Sequence, residues 1–456
     1  MEELNNTATA YQSPVEHETV GVTIMDVNTG FVVYESAQHE LLYPASITKI
    51  MTALVVLEEV QNLEEDLVLS ENSVLSLPYY ASRMHALPGD VMSVREALYG
   101  LMLRSGNEVA NALAEHVSGD MDSFVNHMNR RAAELGANNT RFINPSGLPG
   151  DNQHTTAFDM ALIMREAITH PVFNEIVGTD TFFIDRPLQN YHDGLTIRNT
   201  NLLTRPGEFF DSRVVGGKTG FTNAAQHTLV TYARQGETGF IISTLYGGWR
   251  VPTQDTVALM DYAFSLPVIT IFSRYAHSWE IPVIQVIDGE LETIGTVTVR
   301  PAESVNVPVH PDNTPEVHDV RVVPDYLTPP VRVGDVVGFT EIFAGTQSLG
   351  QIDIVAETSA LPAVVEIQRG VSEQQETATL VSAPINNTPF GGLFSSDIRI
   401  FGGISPLNLI LPITVLLLLC VAMLMLRRRR KIVQRRRRRG RFKNAQYSKL
   451  RFSKNL

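Results

Sequence analysis

The sequence predicts an α+β fold in which helices pack on an antiparallel sheet, followed by a small all-β domain and one transmembrane helix. Three observations lead there. A hairpin pattern near the start and strand-like runs near residue 230 bracket a helical middle. From about Pro267 the texture turns to Val, Ile and Thr with Pro and Gly punctuation and no helical period. Close to the C-terminus, an uncharged apolar run abuts a block of arginines.

Taken in order, "VGVTIMDVNTGFVVYES" reads as two strands joined at Asn28-Thr29-Gly30. "YPASITKIMTALVVLEE" (Tyr43 to Glu59) then opens a helix, with Ile50, Leu54 and Leu57 at core-facing spacing. "SVREALYGLMLRSGNEVANALAEHV" and "MDSFVNHMNRRAAELG" carry apolar stripes at helical spacing. "QHTLVTYA" and "STLYGG" suit strands, and "TVALMDYAFS" a closing helix. This organisation divides the chain into an N-terminal extension (1–18), a first large domain (19–266), a β-rich domain (267–383), a linker (384–403), a membrane span (404–426) and a basic tail (427–456). No internal repeat is evident.

The charge of the chain is segregated. Residues 427–456 hold 15 of the 36 basic residues and no acid, which leaves 21 basic against 49 acidic residues in the first 426. A body so acidic is ill suited to nucleic acid, which requires clustered cations. "LILPITVLLLLCVAMLML" (Leu409 to Leu426) is uncharged and, with the residues before it, reaches the ~20 needed to cross a bilayer. The arginines after it place the tail in the cytoplasm and the body outside, and favour a topology anchor over a nucleic-acid-binding tail. The first 21 residues show no signal-peptide pattern. The only cysteine, Cys420, falls in the span, so the outer domains carry neither disulfides nor thiolate chemistry.

Three short patterns carry the chemistry: Ser46-x-x-Lys49, Ser105-Gly106-Asn107 and Lys218-Thr219-Gly220. Ser46 as a helix cap with a solvated Lys49 is the plain alternative for the first. Two things weigh against it. S-x-x-K, S-x-N and K-T-G in this order form the set used by penicillin-interacting serine enzymes. In addition, the first 426 residues contain 19 arginines and only two lysines, Lys49 and Lys218. An amine kept where arginine otherwise serves as cation points to proton transfer, because lysine can be neutralised and a guanidinium cannot.

Ser46 is then the nucleophile at a helix N-terminus, and Lys49, one turn on, takes its proton. Ser105 relays a proton to the leaving amine, and Asn107 orients substrate. Lys218 supplies positive potential that keeps Lys49 neutral and attracts an anionic substrate end. Thr219 donates to a terminal carboxylate, and Gly220 and Phe221 complete the substrate-binding strand. The backbone N–H groups of Ser46 and Phe221 are candidates for an oxyanion hole. "GGKTG" is not a phosphate loop, since Ser212 stands where that motif needs glycine. The scattered histidines, without H-E-x-x-H, offer no metal site, and no cofactor is expected. Asn138-Asn139-Thr140 and Asn144-Pro145-Ser146 read as loop turns.

With these motifs and the blocks "FVNHMNRRAAELGANNTRFINPSGLPG", "HTTAFDMALI" and "RNTNLL", residues 19 to 266 resemble the low-molecular-mass penicillin-binding D-alanyl-D-alanine carboxypeptidases. The resemblance implies an acyl-enzyme on Ser46, with Lys49 as proton acceptor, Ser105 as a further catalytic residue and Lys218 in substrate binding. It also implies a peptidoglycan pentapeptide substrate and covalent inhibition by β-lactams. Three positions depart from the family pattern: Glu108 where Asp is common, Ala225 where Gly is usual, and "VVGG" where an acidic residue and a glycine precede K-T-G. A serine β-lactamase-like hydrolase is one alternative, but "ANNTRFINPSGLPG" lacks the acid its deacylation requires. A non-catalytic protein that binds peptidoglycan or β-lactams is the other.

Overall fold

A computed structural model describes residues 15–363. Its centre is a five-stranded antiparallel sheet in the order Val32–Ser36, Gly21–Asp26, Thr238–Gly247, Gln226–Gln235, Val214–Thr222. The first two strands form the hairpin expected at Asn28-Thr29-Gly30. Asp26 closes it, its carboxylate accepting from the Thr29 N–H (2.8 Å) and its carbonyl from the N–H of Gly30, which sits at φ 74°.

Both faces of this sheet are covered, because its central strands alternate two sets of apolar side chains. Met25, Val230, Ile241 and Leu245 pack into the large core shared with the helices Lys49–Glu59, Val94–Leu103, Asn107–Ser118 and Ala157–Ala167. Val22, Ile24, Phe240 and Ile242 pack on the other face against Leu259, Met260 and Ala263 of the helix Val251–Ser265. The expected α+β class, helices on an antiparallel sheet, therefore holds for this domain, with the closing helix longer than its sequence pattern and on the face opposite the helical middle.

Local sequence explains the main helix boundaries. Ser93 and Glu96 form a capping box at the start of Val94–Leu103, the Ser93 hydroxyl accepting from the Glu96 N–H and the Glu96 carboxylate from the Ser93 N–H. The stretch that reads as one helical run, 93–117, is two helices. It breaks at Arg104–Gly106, where Ser105 adopts φ 61° and the Gly106 N–H returns to the Gly100 carbonyl (3.1 Å). The opening stretch departs in a similar way. Ala45–Thr48 is a 3-10 turn, and the α-helix starts only at Lys49.

Residues 267–363 contain strands and short 3-10 turns, among them a five-stranded antiparallel sheet with Glu290–Pro301 and Gln347–Ala356 near its middle. This region docks on the hairpin. Phe31 packs with Phe272, Val305, Val307 and Ile342, and Gln347 bonds the backbone of Gly30 and Val32. Among the described residues no helix is long and apolar enough to cross a membrane. The predicted span (404–426), linker (384–403) and basic tail (427–456) lie outside the described residues, as do 1–14 and 364–383.

Candidate active site

The three motifs converge on one cleft of ≈ 1050 Å³. Its lining includes Ser46, Ser105, Asn107, Thr219, Gly220 and Phe221. Each motif arrives on a different element. Ser46 sits in the 3-10 turn, Ser105 and Asn107 at the break between two helices, and Lys218-Thr219-Gly220 in the middle of the edge strand Val214–Thr222.

Lys49 is the hub. It is fully buried, and its Nζ lies 3.1 Å from Ser46 Oγ, 2.6 Å from Asn107 Oδ1 and 2.6 Å from the Ser146 carbonyl. Burial, and next the charge of Lys218, hold its amine well below the ordinary lysine range, while Glu108 pulls the other way. A neutral amine has two N–H donors and one lone pair. The two carbonyl oxygens, which can only accept, take the donors. The ammonium form donates to Ser46 Oγ as well, and on deprotonation the two carbonyl acceptors leave the lone pair for the Ser46 hydroxyl.

Two backbone features set this geometry. Ala45, just before the nucleophile, has φ 51°, an uncommon conformation for a residue with a Cβ. Gly147 (φ 83°) packs on it, and a Cβ there would collide with the Ala45 carbonyl. On the other side, a Cβ on Gly220 would lie 2.9 Å from the Ser46 nitrogen and 3.1 Å from Ala45 Cβ. Glycine at 220 thus lets the strand run directly against the backbone of the nucleophile. Thr228 on the next strand ties the same turn through Pro44, its hydroxyl donating to that carbonyl (3.1 Å).

Ser105 Oγ is buried without a hydrogen-bond partner among the described residues, beside the cleft it lines. The Thr219 hydroxyl lies 2.9 Å from that of Thr200. Phe221 is half exposed and stacks on His227, which meets Trp249 edge to face. Lys218, expected to supply positive potential and attract an anionic substrate end, does not line the cleft. It is fully buried behind the lining, its Nζ donating to the Thr219 carbonyl (2.7 Å), and burial pushes it down to about 7.

Sequence reasoning missed the Ser146 carbonyl. It treated Asn144-Pro145-Ser146 as a plain turn, and a turn it is: Asn144 Oδ1 accepts from the N–H groups of Ser146 (3.2 Å) and Gly147 (2.7 Å). The turn also aims one carbonyl at Lys49. An asparagine followed by Pro-Ser-Gly signals the turn, but no side-chain pattern signals the carbonyl.

A family model described as D-alanyl-D-alanine carboxypeptidase matches residues 7–247, which is more than half of the chain. The chain belongs to this family. Within the D-alanyl-D-alanine carboxypeptidase family, it is 27% identical over 354 residues to the carboxypeptidase DacF of Bacillus subtilis, covering 76% of this chain and 86% of that one. It is 35% identical over 250 residues to DacB2 of Mycobacterium tuberculosis, covering 53% and 81% respectively. The crystal structure of the D-alanyl-D-alanine carboxypeptidase DacD from Francisella tularensis superposes with a TM-score of 0.55 at 25% identity, over 76% of this chain and 95% of that one. The family's penicillin-binding, β-lactamase-like α+β fold is the architecture described above.

Proposed function

We propose that this chain is a serine-type D-alanyl-D-alanine carboxypeptidase that removes the terminal D-Ala of peptidoglycan pentapeptide through an acyl-enzyme on Ser46. The observation that carries the assignment of roles is the pair of carbonyl acceptors on Lys49, which reserve its lone pair for the Ser46 hydroxyl.

The steps follow from this arrangement. Ser46 Oγ attacks the carbonyl of the penultimate D-Ala while its proton passes to Lys49 Nζ. The resulting ammonium has three N–H donors, and Asn107 and Ser146 already supply two acceptors for them. The backbone N–H groups of Ser46 and Phe221 stabilise the oxyanion. Collapse of the tetrahedral intermediate breaks the peptide bond, and the leaving nitrogen takes the proton from Lys49 by way of the Ser105 hydroxyl. Lys49, neutral again, accepts a proton from the water that attacks the ester and passes it to Ser46 Oγ as the shortened peptide leaves, which regenerates the free hydroxyl and the neutral amine. A β-lactam presents its ring amide to the same nucleophile and forms the corresponding ester.

The leaving residue ends in a carboxylate, and the cleft suits it. Its lining contains Arg205 and Arg250 and no Asp or Glu among the described residues. Thr219 Oγ1, on the strand beside Ser46, donates to that carboxylate. Lys218, being buried, acts through potential on Lys49 and the substrate end without touching either.

Placement at the cell surface completes the reading. The apolar run 404–426 anchors the protein in the bacterial membrane as a single span, with the arginine-rich tail inside and the residues before it outside. One experiment addresses both parts. Protoplasts expressing the chain are labelled with a fluorescent penicillin and then shaved with external protease. The label should sit on a released fragment containing Ser46, with the tail protected, and Ser46→Ala should abolish both labelling and D-Ala release. Stoichiometric labelling of Ser46→Ala would overturn the nucleophile, and a label protected from protease would overturn the topology.

A further inference from the structure

Glu108 is a buried acid beside the cleft that the acyl-transfer steps do not use. It is the second residue of the helix Asn107–Ser118 and is fully buried. Its Oε1 accepts from two successive backbone N–H groups, those of Met84 (2.8 Å) and His85 (2.9 Å), where His85 adopts φ 65°. Its Oε2 has no partner among the described residues. The segment it holds also supplies Tyr79, Tyr80, Ala81 and Ser82 to the cleft lining. Two further bonds tie that wall to the Ser105 turn: the Asn107 N–H donates to the Ser82 carbonyl (3.0 Å), and the Ser82 hydroxyl to the Arg104 carbonyl (3.3 Å). Glu108 is the innermost of these ties and the only one made by a charged group. An aspartate would end one C–C bond, roughly 1.5 Å, short of both amides.

Resting on the assignment of Ser46 and Lys49 above, we propose that Glu108 is a positioning residue for acyl transfer: its carboxylate pins the wall Tyr79–His85 to the start of the Asn107 helix, and so holds Ser105 and Asn107 against Lys49. A tie of this shape could be made by glutamine, and burial pushes the Glu108 carboxyl up, so its charge is costly to keep there. That charge is also the acidic influence that raises Lys49, against burial and Lys218. Other charged or titratable groups nearby in the fold are Lys218 on the edge strand, Tyr79, Tyr80, Arg83 and His85 on the wall, Arg104 before Ser105, Glu115 and His116 on the same helix, and Arg95, Glu96 and Tyr99 on the helix before it. Arg83 spends its guanidinium on the carbonyls of Leu77 and Pro78.

The test compares Glu108→Gln with Glu108→Ala in the full chain in detergent, following acylation by a fluorescent penicillin against pH. Glutamine keeps an oxygen for both amides and loses the charge. It should hold the plateau rate within about 3-fold and move the acid limb to lower pH, because Lys49 loses the charge that raises it. Alanine loses the tie as well, and its plateau should fall roughly 10-fold or more. A Glu108→Gln protein with the wild-type thermal midpoint and an unmoved acid limb would overturn the proposal, as would a Glu108→Ala protein with the wild-type plateau. If alanine does not fold, Glu108→Asp, which falls short of both amides, takes its place, and a wild-type plateau there overturns the proposal. Wild-type protein that is not acylated at all would instead sink the underlying assignment of Ser46.

Discussion

The two regions of the described chain treat buried charge in opposite ways. Before Leu266 the core holds Lys49, Lys218, Glu108, Asp159 and Asp255, while after it the only buried polar side chain among the described residues is Thr340. The β-rich region is stabilised by Val, Ile and Ala packing, as in the cluster of Ile281, Val283, Val297, Val299 and Ile354. The acids of the first region are each held by backbone N–H groups. Asp255 takes those of Glu18 and Thr19, and Asp159 that of Asn139. The lysines donate to backbone carbonyls instead, Lys49 to that of Ser146 and Lys218 to that of Thr219. Burial pushes both amines down, and the Lys218 charge further disfavours protonation of Lys49, which costs stability and serves proton transfer. The buried lysines follow the chemistry, buried acids such as Asp159 and Asp255 tie backbone segments, and the β-rich region has neither among the described residues.

If that contrast is sound, the largest loss should come from Lys49→Arg. A guanidinium stays protonated at neutral pH and cannot accept the Ser46 proton. Acylation by penicillin should drop by about 10³-fold or more, at the upper end of what a positioned base contributes. An arginine variant with measurable wild-type-like acylation would remove the distinction between the two regions. Gly220→Ala should cost less, about 10- to 100-fold, because the added methyl presses on the Ser46 nitrogen and displaces the nucleophile without removing a catalytic group. Stopped-flow labelling would measure it. Val307→Ala, in the β-rich region, removes fully buried packing. It should lower stability by about 2 kcal/mol and the thermal midpoint by about 4 to 8 °C, with the acylation rate of the folded protein unchanged. A large loss of rate there would show that the β-rich region takes part in the chemistry.

Much of this arrangement was legible in the sequence, for a physical reason. Side-chain chemistry leaves marks in residue identity, so Ser46, Lys49, Ser105, Asn107 and Lys218 stand out by type and spacing, and Asn28-Thr29-Gly30 marks its hairpin through Gly30. Backbone chemistry leaves far weaker marks. The Ser146 carbonyl, the positive φ of Ala45 and Ser105, and the two amides that Glu108 collects depend on tertiary packing, and any residue type carries a carbonyl and, proline aside, an N–H. Depth was equally hidden. Lys218 lies on a strand edge in the sheet order, and only the assembled walls show that its amine sits behind the cleft. The helix following Ser105-Gly106 was legible, but the shared apolar spacing on either side hid the turn that separates it from the helix before.

The central claim is that Lys49 is neutral and acts as the base because burial and Lys218 depress it. The pH dependence of Ser46 acylation in wild type and in Lys218→Met tests it most directly. A base must be unprotonated, so the rate rises with pH through the titration of Lys49, and in wild type this limb should lie well below the ordinary lysine value of 10.5. Removing the Lys218 charge takes away one of the two influences that depress Lys49, so the limb should move to higher pH in the variant. A wild-type limb near 10.5, or a variant limb that stays in place or moves to lower pH, would contradict the account.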